Sequence, residues 1–139
     1  MATFQKFNSF AGALAEKTHN LGSDTLKVML SNTAPVATNT VKANLTDISA
    51  GNGYTAGGTA ATISSSAQTS GSYKLVLADV VFTASGGAIG PFRYPVLYND
   101  TASNDELIGW WDYGVSITVN DGETFTVDFN PTTGVLTLA

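Results

Sequence analysis

The stretch GNGYTAGG at positions 51 to 58 is the first place where residue type and spacing suggest chemistry. Glycine-rich loops before a helix cradle phosphates through their backbone N–H groups. Gly53 and Gly58 have the spacing of the outer glycines in G-x-x-x-x-G-K-[ST], but Thr59 stands where the lysine belongs and no helical pattern follows. The dinucleotide fingerprint G-x-G-x-x-G fails as well, because its third glycine falls on Ala56. Gly51, Gly53, Gly57 and Gly58 therefore read as a loop with backbone freedom, and Tyr54 is its one large side chain. Such a loop is expected to leave the body of the fold and lie along a neighbour, with Tyr54 as an anchor.

The remaining catalytic candidates are few. His19 is the sole histidine and there is no cysteine, so a nucleophilic triad would have to use His19. No G-x-S-x-G elbow supports one, and the ordinary reading of His19 is an exposed residue or a partner for a helix C-terminus. Asp105, Glu106 and Asp112 are the carboxylates that could work as a pair in glycoside hydrolysis. Asp105 and Glu106 sit in the polar run NDTASNDE, which reads as a solvated turn. Asp112 lies in an aromatic stretch, either buried and perturbed or facing solvent and capping a backbone group. Asn99, Asp100, Asn104 and Asp105 offer oxygens to calcium without the EF-hand spacing. No catalytic residue, no cofactor and no metal is expected.

Aromatic side chains make a denser pattern. Phe92, Tyr94, Tyr98, Trp110, Trp111 and Tyr113 fall within 22 positions, with the only arginine, Arg93, among them. In a regular strand, adjacent Trp110 and Trp111 point to opposite faces. Tyr, Trp and Arg are enriched at the hot spots of protein interfaces. The alternatives are a core tryptophan beside a partly shielded one, or a platform for stacking a sugar.

The elements that must position these residues are mostly strands. Residues 4 to 17 give one helix candidate, with Phe4, Phe7, Ala11 and Leu14 on one stripe, Phe10 beside it, Thr3 as N-cap and Gly22 as stop signal. After it the apolar period shortens to two. Strands are expected over 25–31, 59–65, 73–84 with a bulge near Asp79, and 90–99, where Pro95 implies an edge or bulge. Further strands are expected over 106–114, 115–119, 123–129 and 135–138, with Asn120-Asp121-Gly122 as a hairpin turn. This predicts a mainly β, single-domain antiparallel β-sandwich over 1–139, a jelly roll or, alternatively, an immunoglobulin-like arrangement. A helical segment covers 1–22, and 23–139 forms the sandwich with a long loop at 32–58, which at that length calls for a function or local structure.

Composition narrows the partners. The 139 residues carry 43% hydrophobic and only 12% charged side chains, and the net charge is −5. Six scattered cations make no basic run, which argues against nucleic acid and against an anionic membrane surface. The start MATFQKF has no apolar signal-peptide core, so synthesis in a cytoplasm is the expectation.

The segments FNSFAGALAEKTHNLGSDTLKVMLSNTAPVATNTV, AGNGYTAGG, LADVVFTASGGAIGPFRYPVLYND and LIGWWDYGVSITVNDGETFTVDF follow one another through nearly the whole chain. Their order and texture resemble capsid cement (decoration) proteins of tailed bacteriophages, which have a jelly-roll β-sandwich. Neck and tail proteins of phages share this composition. The resemblance implies a non-enzymatic virion protein on the outer capsid surface, bridging major capsid protein subunits. It also implies self-association, as a homodimer first and a trimer second. Contact roles are then expected for Phe4, Phe7 and Phe10, for the loop with Gly51, Gly53, Tyr54, Gly57 and Gly58, and for Arg93, Trp110 and Trp111. A carbohydrate-binding sandwich and a hydrolase remain the competing classes.

Overall fold

The computed structural model describes residues 2–139. Alternation dictates the centre of the fold. In β2 (Leu26–Ser31), Leu26, Val28 and Leu30 enter one core cluster, while Met29 enters another on the opposite face. Both faces of this strand are therefore covered. Around it lie β1 (Gln5–Lys6), α1 (Ser9–Ala15), β3 (Thr59–Ala61), β4 (Ile63–Thr69), β5 (Ser72–Leu77) and β6 (Val80–Thr83). The chain continues through β7 (Ile89–Phe92), β8 (Tyr94–Asn99), β9 (Leu107–Trp110), β10 (Ile117–Val119), β11 (Thr124–Val127) and β12 (Leu136–Leu138).

One five-stranded sheet has the order β1-β9-β8-β2-β3, and a three-stranded sheet has the order β12-β5-β4. Two ribbons, β10-β7 and β11-β6, complete the set, and every pairing is antiparallel. The main core lies between the five-stranded sheet and the others. Leu26, Val28, Leu30, Leu97 and Ile108 meet Leu75, Leu77, Phe82, Phe92 and Val127 there. The result is the expected mainly β antiparallel sandwich with one short helix. The strand order assigns neither jelly-roll nor immunoglobulin connectivity to it.

Several local expectations are corrected. The helix spans Ser9–Ala15 only; Gln5 and Lys6 pair instead with Trp110 and Gly109 at the free edge of β9. Asn8, not Thr3, is the N-cap, and its side chain makes no capping bond. The helix ends at Glu16, and Lys17 turns the chain with φ 73°. The 73–84 run is two strands in two sheets rather than one bulged strand, and the 90–99 run likewise divides at Arg93 between β7 and β8. Asn120 to Glu123 do form a turn, with Glu123 N–H donating to Asn120 O, yet β10 pairs with β7 and β11 with β6. Turn chemistry thus reverses the chain without making the two flanking strands partners.

Pro95 lies in β8, a central strand, not an edge. Both backbone groups of its β2 partner Leu30 turn away from β8, to Tyr54 and Ile48. The missing proline N–H therefore removes no ladder bond to β2.

Candidate functional site

The glycine loop is the clearest correction. Strand β3 stops pairing at Thr59 opposite Val28, which leaves the next stretch of β2 without a neighbour on that side. The loop fills the gap. Ile48 N–H donates to Leu30 O at 3.2 Å, and Leu30 N–H donates to the Tyr54 hydroxyl at 3.0 Å. Tyr54 in turn donates to Asp47, whose other oxygen accepts from Gly57 N–H at 2.7 Å. Burial, reinforced by Asp47, holds the Tyr54 hydroxyl above its ordinary pKa, so it stays a donor. Tyr54 is only 3% exposed and packs on Phe82. It anchors the loop to its own core instead of reaching a neighbour. Gly58, with φ 85°, passes so close to Val28 O that a Cβ would overlap it, which is why glycine is required there. Gly57 is buried as well, and Gly51 and Gly53 are exposed.

The phenylalanines divide. Phe7 and Phe10 are buried, Phe7 against Trp110 at 4.5 Å and Phe10 against His19 at 5.3 Å, so both pack the N-terminal segment onto the sandwich. Phe4 is half-buried and lies across Gly109, where any Cβ would strike its ring. Its other neighbour is Trp111, at 5.2 Å.

The residues that the structure does bring together at the surface are those around Arg93. The end of β9 sends Trp110 to the second core cluster and Trp111 to the main one, as the two-residue alternation requires. Beyond Trp111 the chain runs beside Arg93: Trp111 N–H donates to Pro95 O and Tyr113 N–H to Arg93 O, both at 3.0 Å. That register sets Arg93 against Asp112. Nε donates to Oδ1 at 2.7 Å and Nη2 to Oδ2 at 3.1 Å, a bidentate pair, and Gly114 N–H adds a third bond to Asp112. The arginine bonds hold the Asp112 carboxyl below its usual range. Arg93 also lies over the Tyr94 ring at 5.4 Å.

Next to this pair is a cleft of about 160 Å³ lined by Ala2, Pro95, Trp111, Tyr113, Phe125 and residues 126 to 128. Tyr113 and Phe125 meet edge to face at 5.5 Å, and Trp111 meets Phe129 at 5.6 Å. Tyr113 is 50% exposed, and Val115 beyond it 59%. Sequence reasoning found Arg93, Trp111 and Tyr113 but missed Pro95, Phe125 and Asp128. Pro95 lies in β8 beside Arg93 and was read only for its effect on strand pairing, whereas Phe125 in β11 and Asp128 just after it meet this edge only through the fold.

The catalytic candidates are not assembled. His19 is 5% exposed, contrary to expectation; its Nδ1 faces Asn99 Nδ2 at 2.9 Å and its buried Nε2 has no partner. Burial lowers its pKa against the opposing pull of Glu106 and Asp24. Asp112 is exposed and paired to Arg93, while Glu106 bonds Asn104 in its own loop. Asn99 is fully buried, bonding Thr101 and Ala102 N–H through its oxygen and Asp24 through its nitrogen. No group of three or more metal-ligating side chains occurs among the described residues. Comparison with protein-family models, with curated proteins and with solved structures returns no match.

Proposed function

We propose that the chain is a virion structural protein that decorates the outside of a tailed-bacteriophage capsid and cements neighbouring major capsid protein subunits. The observation that supports this reading is the aromatic edge. Trp111, Tyr113 and Phe125 lie half-buried to exposed around the bidentate Arg93–Asp112 pair, the composition of an interface hot spot. The whole-chain resemblance to cement proteins supplies the kind of partner. Repetition of one modest contact over a lattice gives large total stabilisation.

Two measurements test it. Purified particles should carry hundreds of copies of the chain by quantitative mass spectrometry; tens of copies would point to a neck or tail component. Purified chain should bind empty capsids, and Tyr113→Ala with Arg93→Ala should weaken that binding by at least about tenfold. A chain that is monomeric at micromolar concentration and does not bind shells refutes the proposal. A sugar-binding reading draws on Trp111 and Tyr113 beside the cleft; a glycan array without hits and unchanged tryptophan emission would remove it.

A further inference from the structure

We infer that the cleft between Trp111, Tyr113 and Phe125 is a docking groove for an extended, proline-containing segment of a partner chain that carries a cationic residue beside its proline. This rests on the reading of the aromatic edge as a contact surface and names what that edge takes. At about 160 Å³ the cleft falls below the usual range of small-molecule sites, roughly 300–1,000 Å³, and suits one ring or branched side chain. Its wall includes Trp111, Tyr113, Phe125 and Pro95, and aromatic-lined grooves are how proteins hold polyproline-type segments. Such segments are already extended when free, so little ordering entropy is lost on docking.

Charge decides what flanks the proline. Asp112 is neutralised by Arg93, and the other ion pair among the described residues joins Lys27 to Asp100. Asp128, exposed on the cleft wall, has no cationic partner among the described residues. A Lys or Arg next to the docked proline completes it. A second copy of this chain is poorly suited to supply one. It carries a net charge of −5, and two of its six cations, Arg93 and Lys27, are already paired.

The test uses the full chain and three synthetic peptides: acetyl-Ala-Pro-Pro-Val-Pro-Arg amide, the same peptide ending in Glu, and the same peptide with Gly replacing each Pro. Titration followed by NMR should give saturable shifts at Trp111, Tyr113 and Phe125 with the first peptide. Tyr113→Ala, at an exposed position, should weaken this binding by about tenfold. Asp128→Asn should weaken it roughly threefold and erase the preference for Arg over Glu. Equal binding of the glycine peptide, or no saturation by about 5 mM, overturns the inference. So does loss of self-association in Tyr113→Ala without peptide binding, which would seat a second copy in the groove. Shell binding without peptide binding overturns this inference alone, and peptide binding without shell binding overturns the capsid reading alone.

Discussion

Replacing Tyr54 by Phe isolates one hydroxyl on which the loop depends. The ring stays, and with it the contact to Phe82 at 5.8 Å. What is lost is the acceptor for the N–H of the fully buried Leu30, 3.0 Å away, and the donor to Asp47. A buried donor left without a partner costs roughly 1–3 kcal/mol. Asp47 is half-exposed, so water can replace the tyrosine there, and its bond to Gly57 N–H remains. The expected loss is therefore about 2 kcal/mol, most of it from Leu30 and the remainder from the bond to Asp47. With a urea slope of roughly 2 kcal/mol per molar, the unfolding midpoint should fall by about 1 M. Tryptophan fluorescence and far-UV circular dichroism should report the same transition. A double-mutant cycle with Asp47→Ala should show a coupling of at least about 0.5 kcal/mol, since the two side chains share one network. A loss in Tyr54→Phe below about 0.5 kcal/mol, or strict additivity in the cycle, would refute this account. Unchanged stability together with weakened capsid binding would return Tyr54 to the role of a partner anchor.

Gly109→Ala should cost about 1–3 kcal/mol by driving the new methyl into the Phe4 ring and against the Gln5 carbonyl, and Phe4→Ala in the same chain should restore only the part due to the ring; thermal unfolding without any rescue would mean that the Gln5 backbone alone sets the limit. For His19 the folded pKa lies below the ordinary 6.5, so the folded chain binds fewer protons than the unfolded one. Stability should be fully present above that ordinary value and decline as pH falls below it, and His19→Gln should flatten this slope in urea titrations at several pH values. A slope identical in the variant would assign the acid sensitivity to other groups. Arg93→Ala should leave the unfolding midpoint nearly unchanged, because the pair is solvent-exposed, while the Asp112 carboxyl rises back toward its ordinary pKa in an NMR titration. An Asp112 titration unaltered by the substitution would contradict the bidentate geometry.

Local pattern carried much of the fold. The alternation in TLKVMLS names the inward residues of β2, and the adjacent tryptophans separate onto two faces as strand geometry requires. What it could not carry is partner choice. Residues 4 to 10 place phenylalanine at every third position, a helical spacing, yet the free edge of β9 claims Gln5 and Lys6 as a strand. The runs 73–84 and 90–99 look continuous in hydrophobicity, but each crosses between sheets, at Ala78–Asp79 and at Arg93. Asp79 marks its crossing by accepting from Phe129 N–H, a contact 50 positions away. The burial of Tyr54 was equally hidden, since its cause is the early end of β3. A glycine-rich sequence specifies backbone freedom, and only the neighbouring strand decides whether that freedom serves mobility or close approach.

The long 32–58 connection then bears on where a partner can sit. Met29, Val96, Tyr98 and Leu107 form a second cluster on the outer face of the five-stranded sheet, with Phe7. An exposed apolar face of this kind would itself be a binding surface. Here the connection covers it. Leu45 packs on the cluster, Lys42 lies over the Tyr98 ring at 5.4 Å, and the Tyr98 hydroxyl donates to Gly57 O at 2.6 Å. The length of the loop is thus explained by covering its own sheet, and Gly57 and Gly58 by the tightness of that cover. Tyr54, Gly57 and Gly58 are buried within the chain and Leu45, Asp47 and Ile48 half-buried, while Tyr113 and Val115 remain half or more exposed beside the Arg93–Asp112 pair, as does Val36 in the connection itself. On the proposed reading, the anchoring contact first expected of Tyr54 falls instead to that aromatic edge, where substitutions should weaken binding without first unfolding the protein.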